Sequence, residues 1–312
     1  MKVADHSTRP ALGVGLKVTA MALFSVMSAL IKATSDEVPA GEQVFFRSLF
    51  AIPIILVWLA QRGELRNGLK TSNPMGHFWR GLLGTTAMGL SFAGLGLLPL
   101  PEVTAIGFAT PIFTVILAAV MLGERIRLFR ISAVALGLVG VIIILWPRFS
   151  SWGGFEDAAA LGALLILIAT VMRSFVQIHI RQLVQTEHTA AVVFYFSSFA
   201  TLLSLLTLPF GWVMPQGDTL ALLITAGLLG GVAQILVTSA YRFGTTSMLA
   251  PYDYTAMIFA IIIGYVWFSE LPTLVMLIGS ALVIVAGILV IWREHRLGLP
   301  RGKARPLMVH KG

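Results

Sequence analysis

Polar and charged positions gather at intervals of roughly 20 to 30 residues, and long apolar blocks fill the space between them. About 20 apolar residues at 1.5 Å rise cross the hydrocarbon core of a bilayer. The pattern predicts ten such spans, approximately 11–31, 43–60, 76–95, 101–122, 131–146, 159–180, 189–209, 219–241, 247–268 and 272–292. The fourth is the most informative, within PLPEVTAIGFATPIFTVILAAVMLGERI from Pro99. Its apolar run from Val103 to Leu122 is interrupted by Pro111, closed by Gly123-Glu124, and followed by Arg125, Arg127 and Arg130. A cluster of arginines beyond such a run marks the side that stays in the cytoplasm.

This block recurs. A shift of 146 carries Glu124 onto Glu270, Gly94 onto Ala240, Leu95 onto Tyr241 and Ala105 onto Pro251, where the chain reads YRFGTTSMLAPYDYTAMIFAIIIGYVWFSELPT. Each copy has a helix ending in small and aromatic residues, a short polar connection, a proline-bearing helix, and an acidic residue before the next helix. Five spans per half is an odd number, so the second half is inverted relative to the first. An inverted repeat around a site near mid-membrane suits alternating access.

Composition removes the soluble alternative. Mean hydropathy is +0.89, and charged residues make up 12%, about half the usual share. The net charge of +8 does not indicate nucleic acid, because most basic residues lie in short connections or the tail, where lipid headgroups and orientation account for them. With the N-terminus inside, the cytoplasmic segments hold Lys2, Arg9, Arg62, Arg66, Lys70, Arg125, Arg127, Arg130, Arg181 and Arg242. The tail adds Arg293, Arg296, Arg301, Lys303, Arg305 and Lys311; Lys32 and Arg148 fall opposite. Sixteen against two supports this orientation. The chain thus divides into a cytoplasmic lead-in (1–10), a first five-helix repeat (11–146), an outer linker (147–158), a second repeat (159–292) and a basic cytoplasmic tail (293–312).

At this point the sequence resembles the drug/metabolite transporter superfamily, and within it the ten-helix family named for its EamA domains. The resemblance covers about residues 10–292. It rests on Arg80-Gly81, the Pro99–Ile126 block, Gly137 to Gly140, and Glu270, Gly279 and Gly287 in the second half. It implies an all-α polytopic membrane protein of two inverted EamA-type repeats in a bacterial inner membrane, with both termini inside. A central cavity is formed by both halves, with spans five and ten away from it. The chain departs from symmetry where Met257 takes the place of Pro111 and Pro251 lies opposite Ala105, so the halves are expected to bend differently.

Ionisable residues inside spans are expensive and face a cavity or a partner. Lys17 and Arg80 lie near span ends, where snorkelling makes Arg80 a structural anchor. Arg47 is placed to bind a carboxylate or reach headgroups. Arg173 and Asp253 lie at similar depth, so an intramembrane ion pair between them, as lock or gate, is geometrically possible. Gln177, one turn from Arg173, shares its face; Gln234, Tyr252 and Tyr254 add donors, acceptors and aromatic faces. Thr104 and Phe108 lie on the same helical side as Pro111, a candidate cavity stripe. Pro111 and Pro251 loosen their local helices, while Glu124 and Glu270 read as fold-maintaining residues at turns.

The chemistry narrows the classes. No phosphate-cradling loop, nucleophile elbow or metal-ligand spacing occurs, so no enzyme, cofactor or metal is expected. The leading reading is a secondary exporter of amino acids, aromatic or branched, and related small metabolites. Riboflavin, an adenosyl compound or drugs, proton coupling and import are the alternatives. The expected partners are a small-molecule substrate, protons and membrane lipids, with no nucleic acid and no evident obligate protein partner.

Overall fold

Lipid offers an apolar segment no hydrogen bonds, so an isolated run must satisfy its backbone internally as a helix. The computed structural model describes residues 10–122, 128–150, 157–183, 186–240, 243 and 246–296. The first half contains α1 (Pro10–Ala33), α2 (Ala40–Gln61), the short α3 (Leu65–Gly68), α4 (Pro74–Leu97), α5 (Leu100–Gly107), α6 (Thr110–Leu122) and α7 (Leu128–Ser150). The second contains α8 (Ala158–Leu183), α9 (Thr189–Ser204), α10 (Gly217–Ala240), α11 (Thr246–Leu249), α12 (Thr255–Phe268) and α13 (Leu274–Arg296). Among the described residues there is no strand, and nine stretches are long and apolar enough to cross a membrane. The tenth span is α4, whose 24 residues are diluted by glycines, His77 and Arg80. The protein is a multi-pass membrane protein.

Local sequence explains the helix ends. Asn73 starts α4 by accepting from the Gly76 N–H at 2.9 Å, with Pro74 in the first turn, where its missing donor costs nothing. Asp157 accepts from the Ala159 and Ala160 N–H groups, both at 3.1 Å, and so caps α8. α12 stops at Ser269, in the left-handed region with φ 56°. That turn sends the following Glu270 back toward the bundle. Helix α7 continues through Pro147 to Ser150, beyond the expected end of span five.

Spans four and nine, which correspond in the two halves, are both interrupted, in different ways. Span four breaks between α5 and α6, just before Pro111. The proline cannot donate to the Gly107 carbonyl, and the Thr110 hydroxyl takes that acceptor at 2.7 Å. Span nine runs through α11, a 3₁₀ segment Ala250–Tyr254, and then α12. The expected unequal bending is therefore present.

Packing follows an inverted two-fold relation. Helix α1 packs chiefly on α10, and α4 on α8; α2 meets α9, and α7 meets α13. Exchanging the halves maps the first two pairs onto each other and the last two onto themselves. α7 and α13 approach closely, since a Cβ at Gly140 would lie 2.7 Å from the Gly279 carbonyl, and the reverse contact is equally tight. Exposed residues within the spans, such as Ile142, Ile258 and Ile262, belong to the lipid face.

Candidate functional site

Ten crossings bring the start of α1 and the finish of α13 to one end of the bundle, here called the basic end; the other is the acidic end. At the acidic end the charges are clasped. Lys32, in the last turn of α1, reaches the Leu98 carbonyl at 2.5 Å, the Leu95 carbonyl at 3.2 Å and Glu270 Oε1 at 3.0 Å. The other oxygen of Glu270 accepts the Leu100 N–H at 2.8 Å. One carboxylate thus ties the end of α12 to α1 and to the start of α5, across the two halves. Beside it Arg148 grips Glu102 in a two-pronged pair at 2.9 and 2.6 Å.

Two further glutamates act as mirrored braces. Glu42, in the first turn of α2, accepts the Val213 N–H at 3.0 Å, in the connection before α10. Glu187, just before α9, accepts from Ser72 N and Oγ at 2.8 Å and Asn73 N at 2.9 Å, in the connection before α4. His77 Nε2 lies 3.4 Å from its other oxygen. Burial raises the Glu187 pKa, but hydrogen bonds from Ser72, His77 and Thr71 prevail and hold it at about 2.

The middle of the bundle is different. Lys17, with 3% of its side chain exposed, pairs with Asp253 at 2.6 Å; Asp253 keeps 44% of its side chain exposed. The expected partner of Asp253, Arg173, instead donates to Ser91 Oγ at 3.0 Å. The reason is packing: α1 lies against α12 and the 3₁₀ segment, while α8 lies against α4. Lys17 is therefore held by a carboxylate rather than by headgroups. Gln177, one turn further along α8, is exposed, and Arg173 is half-buried.

Arg47 is 7% exposed and does not reach headgroups. It borders a gap large enough for about one water, together with Phe196, Ser197, Gly230 and Gln234. Arg80 does not snorkel either. Its guanidinium lies 4.0 Å over the Phe196 ring, and a Cβ at Gly84 would collide with its Nη1. Phe108 and Tyr254 meet edge to face at 5.0 Å, joining the halves through aromatic contact. Tyr252 is half-buried and its carbonyl accepts from Thr255; Pro251 sits in the same 3₁₀ segment. The Thr104 hydroxyl is occupied by the Leu100 carbonyl at 2.9 Å, so it has already spent its proton within its own helix. Glu124 lies outside the described residues.

Sequence reasoning passed over Lys32, Glu42, Glu102 and Glu187 as site residues. A signal existed for one pair: Glu42 and Glu187 stand 145 residues apart, almost the repeat shift, and both open the second helix of a half. Phe196 carried no comparable signal.

The EamA-like transporter family matches twice, over residues 11–146 and 160–293. The chain belongs to that family. The two matches correspond to the two inverted halves. Among similar proteins, the pseudopaline exporter CntI of Pseudomonas aeruginosa is 30% identical over 88% of this chain and 94% of its own. The S-adenosylmethionine uptake transporter of Rickettsia felis is 27% identical, over 91% and 94%. The riboflavin transporter of Rhizobium johnstonii is 26% identical, over 94% and 95%. A solved crystal structure shares the fold with a TM-score of 0.64 and 20% identity, covering 92% of this chain and 99% of its own. This EamA-family protein is a transporter of a small molecule, not an enzyme.

Proposed function

We propose that the protein is a secondary exporter of amino acids, aromatic or branched, and of related small metabolites. It works by alternating access in a bacterial inner membrane, with the basic end and both termini in the cytoplasm. The observation that carries this reading is the contrast between the clasped acidic end and the half-exposed Asp253, nearer the basic end of span nine. A paired carboxylate at that depth requires water or a ligand beside it rather than lipid. Substrate entering from the basic end meets Asp253 first, and its ammonium group competes with Lys17 for the carboxylate. Phe108, Tyr252 and Tyr254 supply apolar faces for a side chain. Release requires the Lys32–Glu270–Leu100 clasp to part and the basic half to close, since only differential contacts in two states move a solute across.

The names of the relatives support a small organic substrate. The name of one, S-adenosylmethionine, is that of an amino acid derivative, which brings adenosyl compounds forward as the second reading. The test is counterflow in liposomes holding the purified protein, with labelled leucine, tryptophan, S-adenosylmethionine and riboflavin, each also tried as an unlabelled competitor. Each is run with and without a pH gradient. Saturable accumulation of an amino acid, lost in Asp253→Asn, is the expected result. Movement of S-adenosylmethionine or riboflavin alone replaces the substrate class and keeps the mechanism.

A further inference from the structure

Arg47 and Arg80 have a chemistry that their surroundings leave unanswered. Among the described residues no carboxylate pairs with either, and Arg47 Nε, Arg80 Nε and Arg80 Nη1, all buried, donate no hydrogen bond. A buried cation without a counter-charge is among the costliest arrangements in a fold. One such side chain could be an accident of packing; two that converge on one surface are not. Both address Phe196, since Arg80 lies over its ring, and Phe196 and Arg47 border the same gap. Two like charges are thus turned toward one aromatic ring and the gap beside it. The sequence also makes room for them. Gly230 leaves the space beside Arg47, where a Cβ would sit 3.3 Å from Nε, and Gly84 leaves the space beneath Arg80.

We propose that Arg47 and Arg80 form the site that receives the anionic group of the transported substrate, most naturally a carboxylate, between α2, α4 and α9. The planar guanidinium matches two carboxylate oxygens with parallel hydrogen bonds. The Phe196 ring fixes the Arg80 plane, and Gln234 and Ser197 lie on the same gap. Space for about one water holds no metabolite, whose pockets span roughly 300–1,000 Å³. The site is therefore the contracted form of a cavity that widens when α2 and α9 separate. Binding of an anion answers the unpaired guanidinium nitrogens, which gives the substrate a means of favouring the widened state. This inference rests on the transporter reading for what is carried, but not on the amino acid assignment.

The test has two arms on the purified full-length protein in detergent. In the first, ligand-free Arg47→Met is melted beside the native protein. A cation kept for a ligand is a liability in its absence, so the variant melts higher. A structural anchor melts lower on removal, and that result overturns the proposal. Acetate, and not acetamide, raises the melting temperature of the native protein, and this difference disappears in Arg47→Met. In the second arm leucine and tryptophan are compared with leucinamide and tryptamine by calorimetry. The acids bind roughly tenfold or more tightly than the partners lacking the carboxylate, Arg47→Met abolishes the gap, and Arg47→Lys restores part of it. Equal binding of acid and amide overturns the site. If none of these four compounds binds, the amino acid reading fails, and the acetate and melting results alone decide the arginine site.

Discussion

The acidic end and the middle of the bundle use charge in opposite ways. At the acidic end Lys32, Glu270, Arg148 and Glu102 are matched, and each pair has additional partners or two-pronged geometry. In the middle, Arg47 and Arg80 have no carboxylate partner among the described residues, and Arg173 makes do with a serine hydroxyl. Charge neutralised within the chain maintains one arrangement of the two halves. Charge left unneutralised favours a third party. The Lys17–Asp253 pair stands between these cases, because it is closed on the lysine side and open on the aspartate side.

The comparison breaks most visibly at the clasp. Glu270→Ala leaves Lys32 without its counter-charge and the Leu100 N–H without its acceptor, at a cost of about 3 kcal/mol. Thermal unfolding of the purified variant measures this loss, and an unchanged melting point would deny the clasp any role in holding the halves. Next comes Gly84→Val, which forces Arg80 off Phe196 and costs about 1–3 kcal/mol by overpacking. Its transport rate falls with the melting temperature, whereas native flux would show that the Arg80 position is unimportant. Asp253→Asn lowers counterflow at least tenfold, equivalent to about 1.4 kcal/mol, while Asp253→Glu retains part of it. Equal flux in the two variants would remove the carboxylate from the mechanism.

The Glu187 brace sharpens the comparison through pH. Its folded pKa of about 2 lies below the usual carboxylate value of 4.5. Its contribution to stability is therefore whole above about pH 4.5 and drains away as pH falls toward 2. Melting curves of native protein and Glu187→Gln should converge across that window; parallel curves would show that the brace carries no such linkage. The smallest effect is expected from Thr104→Ala, within about 0.5 kcal/mol and with native flux, because the hydroxyl is bound to its own helix. A large loss of flux would return Thr104 to the cavity.

Several features were legible one residue at a time. Pro111 marked the place where span four breaks, because its missing N–H leaves the Gly107 carbonyl without a helical donor, although α7 stays continuous through Pro147. Asp253 and Lys17 were recognisable as costly residues, since a charge within an apolar span needs water, a cavity or a partner. Their pairing was not legible. Arg173 matched Asp253 in depth, but depth says nothing about which helices are neighbours. The contact between α1 and the 3₁₀ segment decided for Lys17.

The sequence by itself determined that this is a ten-span membrane chain of two related halves, inverted because each has an odd number of crossings. Apolar length and basic-residue bias are local quantities, and lipid reads them directly. Only the tertiary structure decided where each charge is spent. Glu270, which reads locally as a turn residue, bonds Leu100 across 170 positions; Arg80, which reads as a snorkelling anchor, folds inward over Phe196. Such partners lie on different helices, and the packing of the two halves, rather than spacing along the chain, sets their distances.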